Sequence, residues 1–305
     1  MSDLVQQLVN GTVLGATFGL IAIGYTMVYG IIELINFAHG EIFMIGSYAG
    51  LALYTYVLPG SWTGNPWVTL PMVLVAAMAA SAGVAVLAER LAYRPLRNAP
   101  RLAPLITAIG VSISLQEAVR LFYPGGKNVA AFPRIISSGG FTVGGVTVPW
   151  TSVFAVVAAI VTTVALDRFV NGTRLGKAMR ATSQDRETAM LMGIDTDQVI
   201  VLAFALGGAL AGVAGVIQGI RFISVDFHIG FIAGIKAFTA AVLGGIGNIR
   251  GAFVGGLVIG LVEALATEYL PQGAAWKDVW AFVVLIGVLV LRPGGLLGER
   301  VATRA

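Results

Sequence analysis

Cysteine is absent from this 305-residue chain, and histidine occurs only twice, as His39 and His228. The first absence excludes disulfides and thiolate metal sites. The second leaves too few imidazoles for a histidine-based metal cluster, so no metal site is expected. Charge is nearly as scarce: Asp, Glu, Lys and Arg make up 11% of the residues, against about 25% in soluble domains. Nowhere is there a polar stretch long enough to build a soluble catalytic module, and no catalytic constellation stands out. The phosphate-cradling pattern GxxxxGK[ST] is missing, and the Gly-rich run LGGIGNIRG lacks the flanking strand and helix that such a loop requires. If ATP drives this protein, another subunit must bind it.

What remains is apolar. Hydrophobic residues take 57% of the chain and the mean hydropathy is +0.87, which describes a polytopic membrane protein built as an all-α helix bundle. A crossing needs about 20 mainly apolar residues. Candidates lie near 9–30, 40–58, 68–89, 103–123, 150–169, 199–220, 229–248, 252–270 and 277–292. This gives eight or nine spans in one transmembrane domain over 1–305, because the Gly-rich stretch 229–248 suits either a crossing or a re-entrant segment. The N-terminus, MSDLVQQL, carries no Lys or Arg ahead of its apolar stretch, so the first span is expected to stay in the mature protein.

Basic residues cluster in three places: Arg90, Arg94, Arg97 and Arg101; Arg168, Arg174, Lys177, Arg180 and Arg186; and Arg292, Arg300 and Arg304. The positive-inside bias assigns all three to the cytoplasm and accounts for the net charge of +4 without a nucleic-acid partner. Counting alternately then places the N-terminus and the loops 59–67 and 124–149 outside.

Forty glycines are present, many at four-residue spacing within spans: Gly11, Gly15 and Gly19; Gly208 and Gly212; Gly215 and Gly219; Gly256 and Gly260. Such ridges let helix backbones pack closely, with surfaces that slide during transport as the second reading. Ionisable groups inside spans are costly unless they face a partner or a cavity. Asn36, His39 and Glu41 fall together around Gly40 in INFAHGEIFMIGSYAG. They fit either a hydrogen-bonded cluster where the first two spans join or a place on a solute path. Lys236 and Glu263 stand as isolated charges in apolar spans, and a mutual buried salt bridge or a pathway-lining role fits both equally. Glu117 and Arg120, three apart, suit a local ion pair.

The most polar stretch is RLGKAMRATSQDRETAMLMG, residues 174–193, set between two long apolar spans. Ala178, Ala181 and Ala189 recur at near-helical spacing among Arg174, Lys177, Arg180, Asp185, Arg186 and Glu187, which predicts a short two-faced helix at the membrane surface. Gly193 suits its C-cap, and Asp195, Thr196 and Asp197 can cap the next span. Such a helix fits either anionic membrane lipid or a protein partner.

Three stretches together give the chain a family likeness: INFAHGEIFMIGSYAG, AMRATSQDRETAMLMGI, and GIKAFTAAVLGGIGNIRGAFVGGLVIGLVEAL. Over essentially its whole length it resembles the permease subunit, of the Liv-type H class, of bacterial branched-chain amino acid ABC importers. The resemblance implies a multi-pass protein of the bacterial cytoplasmic (inner) membrane. It also implies a second, homologous permease subunit (Liv-type M), two cytoplasmic ATPases (Liv-type G and F) that bind the ATP, and an extracytoplasmic binding protein delivering leucine, isoleucine or valine. The loop at about 170–198 looks like this family's coupling loop, which docks in a cleft of the ATPase, and the family would assign that role to Arg180, Ala181, Asp185, Arg186, Glu187, Ala189 and Gly193. Met179, Arg180 and Ala181 stand where the wider superfamily has Glu-Ala-Ala. Relatives of this architecture carry urea, short amides or other amino acids, and an ion-coupled secondary transporter using Glu41, Lys236 or Glu263 is the alternative mechanism.

Overall fold

The computed structural model describes residues 2–34, 36–97, 99–100 and 102–298; Arg101, Arg300 and Arg304 of the basic clusters lie outside them. Helices follow one another as α1 (Ser2–Ile32), α2 (His39–Ala52), the single turn α3 (Gly60–Thr63), α4 (Pro66–Ala88), α5 (Leu102–Phe122) and α6 (Trp150–Gly172). After them come α7 (Arg174–Gln184), α8 (Arg186–Leu191), α9 (Thr196–Phe222), α10 (Ile229–Gly244), α11 (Ile249–Tyr269) and α12 (Gly273–Leu291). A π-helical turn, Leu53–Val57, prolongs α2, and α4 runs on through the π turn Glu89–Tyr93 and the 3-10 turn Arg94–Leu96.

Among the described residues seven helices (α1, α4, α5, α6, α9, α11 and α12) are long and apolar enough to cross a membrane. The stretch 40–58, expected as a span, and 229–248, expected as either a crossing or a re-entrant segment, form the shorter helices α2 and α10, of 14 and 16 residues. The reason is a turn-back. Glu33 ends α1 in the left-handed region (φ 52°), where a residue with a Cβ is uncommon. The chain then folds back so that His39, the first residue of α2, packs against Gly24 of α1. Ile223 does the same after α9 (φ 57°), ahead of α10.

These two turns belong to an inverted repeat that was not discernible in the sequence alone. Glu33 and Ile223 are 190 positions apart, and so are Gly40 and Gly230; each glycine closes an [Asn/Asp]-Phe-x-x-Gly segment, Asn36–Gly40 and Asp226–Gly230. The set α1, α2, α4, α5 corresponds to α9, α10, α11, α12. Its two most extensive helix contacts are exchanged accordingly, α1 on α11 and α9 on α4. Both run antiparallel: Gly11 and Gly15 of α1 meet Leu261 and Leu257 of α11, and Gly208 and Gly212 of α9 meet Ala85 and Ala77 of α4. By the same criterion α2 is parallel to α9; α10 is parallel to α1, with Lys236 over Phe18, Phe238 beside Tyr25 and Gly247, just past α10, against Gly30, so α2 and α10 run in opposite directions from a shared start where Gly40 touches Gly230.

The glycine ridges make this packing. A Cβ on Gly15 would lie 2.6 Å from Leu257 Cα, and one on Gly212 2.5 Å from the Ala77 carbonyl oxygen. Only hydrogen fits at such a backbone-to-backbone approach. The centre of the bundle is α1 and α9, whose most apolar windows are 83% and 72% buried, whereas α12, at 6%, forms the rim.

Small β elements sit at one end. β1 (Ala130–Ala131) pairs antiparallel with β4 (Ser224–Val225), and β2 (Gly140–Val143) with β3 (Val146–Pro149) across a two-residue turn, Gly144–Gly145, both with positive φ. Gln6 donates to Thr147 O at 3.1 Å and accepts from Thr147 N at 2.9 Å. The start of α1 and the 124–149 segment therefore lie at the same end, opposite the basic clusters.

Candidate functional site

Three groups of functional side chains stand out. At the α2–α10 junction, Asn36, His39 and Glu41 point to different neighbours instead of forming one cluster. Asn36 Oδ1 accepts from the Tyr93 hydroxyl at 2.6 Å. His39 packs edge-on against Tyr25, with ring centroids 4.8 Å apart, and is buried against Gly24 and Gly207. Glu41 is fully buried; its Oε1 accepts from Gln116 Nε2 at 2.6 Å and from Ser112 Oγ at 3.2 Å, while Oε2 rests against Gly230. Ser112 and Gln116 also line a cavity of about 630 Å³ between α5 and α10.

In the second group Lys236 and Glu263 do meet. Lys236 Nζ lies 2.9 Å from both carboxylate oxygens of Glu263. It is also 2.7 Å from Asp278 Oδ1, and Lys277 lies 3.7 Å from Glu263. Phe18 adds its ring face 5.5 Å from the ammonium. The two buried charges are thus shared with two partners on α12 that the sequence reading missed. The only signal for them was the Lys-Asp pair one turn into the last span. The pair borders a smaller cavity of about 350 Å³, which also includes Asp226 and His228.

The third group is the polar stretch, which folds as two helices instead of the single one expected. Thr173 caps α7 by accepting from Gly176 N at 3.0 Å. Asp185 breaks the helix in an extended conformation and caps α8, accepting from Thr188 N at 3.0 Å and from the Thr188 hydroxyl at 2.6 Å. Those bonds hold its carboxyl below the usual aspartate range. Gly193 (φ 82°) closes α8: its N–H donates to Met190 O, and Ile194 N donates to Ala189 O. Asp195 caps α9 through Gln198 N at 3.0 Å. Asp197 instead takes bonds from Arg94 and Arg97, with Arg186 at 3.8 Å, and Arg97 also pairs with the buried Glu89. The network ties α8 to the ends of α4 and α9. Glu117 and Arg120 form the local ion pair expected, at 2.6 Å. Among the described residues no three His, Asp or Glu side chains are grouped to hold a metal ion.

Residues 7–289 match the family described as "Branched-chain amino acid transport system / permease component". The chain belongs to that family. The permease is 45% identical over 301 residues to the high-affinity branched-chain amino acid transport system permease protein LivH of Escherichia coli (strain K12), covering 97% of this chain and 96% of the relative. It is 45% identical over 305 residues to the corresponding protein BraD of Pseudomonas aeruginosa, with the same coverages. Against a probable branched-chain amino acid transport permease protein, LivH, of Methanocaldococcus jannaschii, identity is 28% over 296 residues, covering 92% and 88%.

In the permease the α7–α8 residues singled out from sequence divide by exposure. Arg180, Asp185, Glu187 and Gly193 are exposed, with Arg180 donating to Asn171 Oδ1 at 3.1 Å. Ala181 is partly covered, and Ala189 is buried at 3% exposure, supporting the helix from beneath. What the sequence reading passed over is the apolar tip. Leu191 is 87% exposed and Met192 78%, at the end of a charged segment where a solvated surface was expected to be polar. Together with Met190, 48% exposed, they give the end of α8 an apolar surface.

Proposed function

We propose that this permease moves branched-chain amino acids (leucine, isoleucine or valine) across a bacterial cytoplasmic membrane into the cell. It acts as one of two homologous transmembrane subunits of an ABC importer, with a Liv-type M subunit as the other. An extracytoplasmic binding protein delivers the solute at the end of the bundle that carries the β2–β3 hairpin. Two cytoplasmic ATPases, of Liv-type G and F, bind ATP and dock on α7–α8. The observation that carries this reading is the exposed Leu191–Met192 tip on a helix pair joined by Asp197, Arg94 and Arg97 to the ends of α4 and α9. A push on α8 is transmitted to helices of both repeats, which suits alternating access. Arg180, Asp185, Arg186 and Glu187 rim the docking surface, and Ala181, Ala189 and Gly193 shape it from within. The solute path runs by the α2–α10 junction, where Asn36, His39 and Glu41 sit, and the Lys236–Glu263 pair holds α10 to α11 and α12 beside it.

Affinity purification of the permease from its native membrane in mild detergent tests the assembly. Recovery with a second permease and two ATPases is expected. Recovery alone, under conditions that keep other ABC complexes together, together with ion-driven uptake in ATP-free vesicles, overturns it in favour of a secondary transporter.

A further inference from the structure

The cavity between α5 and α10 has a polar strip made by Ser112 and Gln116, two further polar-tipped side chains, Tyr25 and His228, and an otherwise apolar wall that includes Ile109, Ile113, Phe231 and Ile232. The strip's polarity is set from behind. Gln116 turns its NH2 toward Glu41 Oε1, 2.6 Å away. Its carbonyl oxygen is then left as a free acceptor. Ser112 likewise spends its single proton on Glu41 Oε1 at 3.2 Å, which leaves the lone pairs of its oxygen free. One buried side chain thus orients two neighbours in the same sense, and the strip turns two oxygens toward the cavity. Such oxygens can accept from a hydrogen-rich cation, with Tyr25 and His228 as donors elsewhere in the same lining.

We propose that this cavity is a station for the solute inside the membrane: the carbonyl oxygen of Gln116 and the Ser112 oxygen receive the ammonium group of an amino acid, and the aliphatic wall takes its branched side chain. Glu41 is a positioning residue that aims both acceptors. At about 630 Å³ the cavity is of the size that accommodates small ligands. The proposal rests on the import reading above and adds where, and by which end, the solute is held.

The test uses the whole importer in proteoliposomes with ATP inside and leucine-loaded binding protein outside, and reads radiolabelled leucine taken up per ATP hydrolysed. Gln116→Met keeps the side chain's length but removes the acceptor, and is expected to lower the ratio about tenfold, the cost of a lost hydrogen bond to a charged group. Ser112→Ala is expected to lower it severalfold, and Ser112→Thr, which restores the hydroxyl, to bring it back within about twofold of the wild type. Ile113→Trp, made at an exposed rim position of α5, fills the cavity and is expected to block uptake. Wild-type ratios in Gln116→Met and Ile113→Trp overturn the station. So does a Ser112→Thr variant as impaired as Ser112→Ala, because shape and not the hydroxyl would then matter. Variants that no longer assemble with the ATPases overturn it as well, since they assign these residues to subunit packing. A wild-type complex that takes up no leucine overturns the import reading itself, a result separable from all of these.

Discussion

Lys236→Met is the perturbation whose outcome the charge cluster fixes most sharply. Lys236 is 7% exposed and Glu263 6%, so removing the ammonium leaves a buried carboxylate whose remaining ion-pair partner, Lys277, is 3.7 Å away and 44% exposed, with Arg221 acting on it from further off. Stranding one member of a buried pair costs about 3–5 kcal/mol. Glu263→Gln is milder, because Lys236 keeps Asp278 at 2.7 Å and gains an amide oxygen; the loss is about 1.5 kcal/mol, the low end for a hydrogen bond to a charged group. Replacing both, as Lys236→Met with Glu263→Leu, removes the stranded charge and returns stability close to the wild type, as apolar replacements of buried ion pairs often do. The assay is the thermal midpoint of the purified permease in detergent, where each kcal/mol moves the midpoint by about 2–4 °C. Lys236→Met is expected at least about 6 °C below the wild type, on the same scale, with the double variant recovering most of it. Strictly additive losses, or a Glu263→Gln variant as unstable as Lys236→Met, would refute the account, since both charges would then be facing water.

Other consequences are equally open to measurement. Leu191→Glu with Met192→Glu is expected to abolish ATPase co-purification while membrane insertion, read by fractionation, stays normal. Arg186→Glu is expected to weaken the association less, and unchanged co-purification would remove Arg186 from the docking rim. Gly15→Leu places side-chain atoms where Leu257 Cα allows no Cβ, so the α1–α11 seam must open; a midpoint within about 1 °C of the wild type would contradict the packing, because overpacking costs about 1–3 kcal/mol. Tyr93→Phe removes the donor to buried Asn36 and should lower stability by about 1–3 kcal/mol, read by the same melt.

Much of the bundle was legible because hydrocarbon thickness sets a length that hydropathy detects directly. Every apolar stretch marked in the sequence is helical. What hydropathy cannot register is where a helix starts relative to its neighbours, so α2 read as a crossing and α10 as either a crossing or a re-entrant segment, although both begin inside the bundle. The turn-backs that cause this use left-handed Glu33 and Ile223, residue types that announce no turn. The repeat was hidden for a related reason: helix–helix seams constrain size more than identity, so little beyond [Asn/Asp]-Phe-x-x-Gly survives at the shared register. At the polar stretch the break was readable in principle, since Asp185-x-x-Thr188 is a helix-start pattern placed in mid-helix. The pairing of Lys236 with Glu263 was weighed against a path role because spacing gives no facing direction. Its α12 partners depend on how the last helix is docked, which only tertiary structure fixes. Gln116 and Ser112 gained meaning only once Glu41 was found behind them.

Helix α6 has no counterpart in either half, and that oddness matters. The passages of α1, α2, α4 and α5 are even in number, so a second set attached directly would begin at the same face and lie as an upright copy of the first. Then α2 and α10 would run in the same direction, and the glycine contact from which they diverge would not exist. One additional passage reverses the parity. It turns the second set upside down and delivers the chain to the basic end at the point where α7 and α8 sit. A segment that resembles a plain spacer, bearing few buried side chains, thus sets the second half of the molecule upside down against the first.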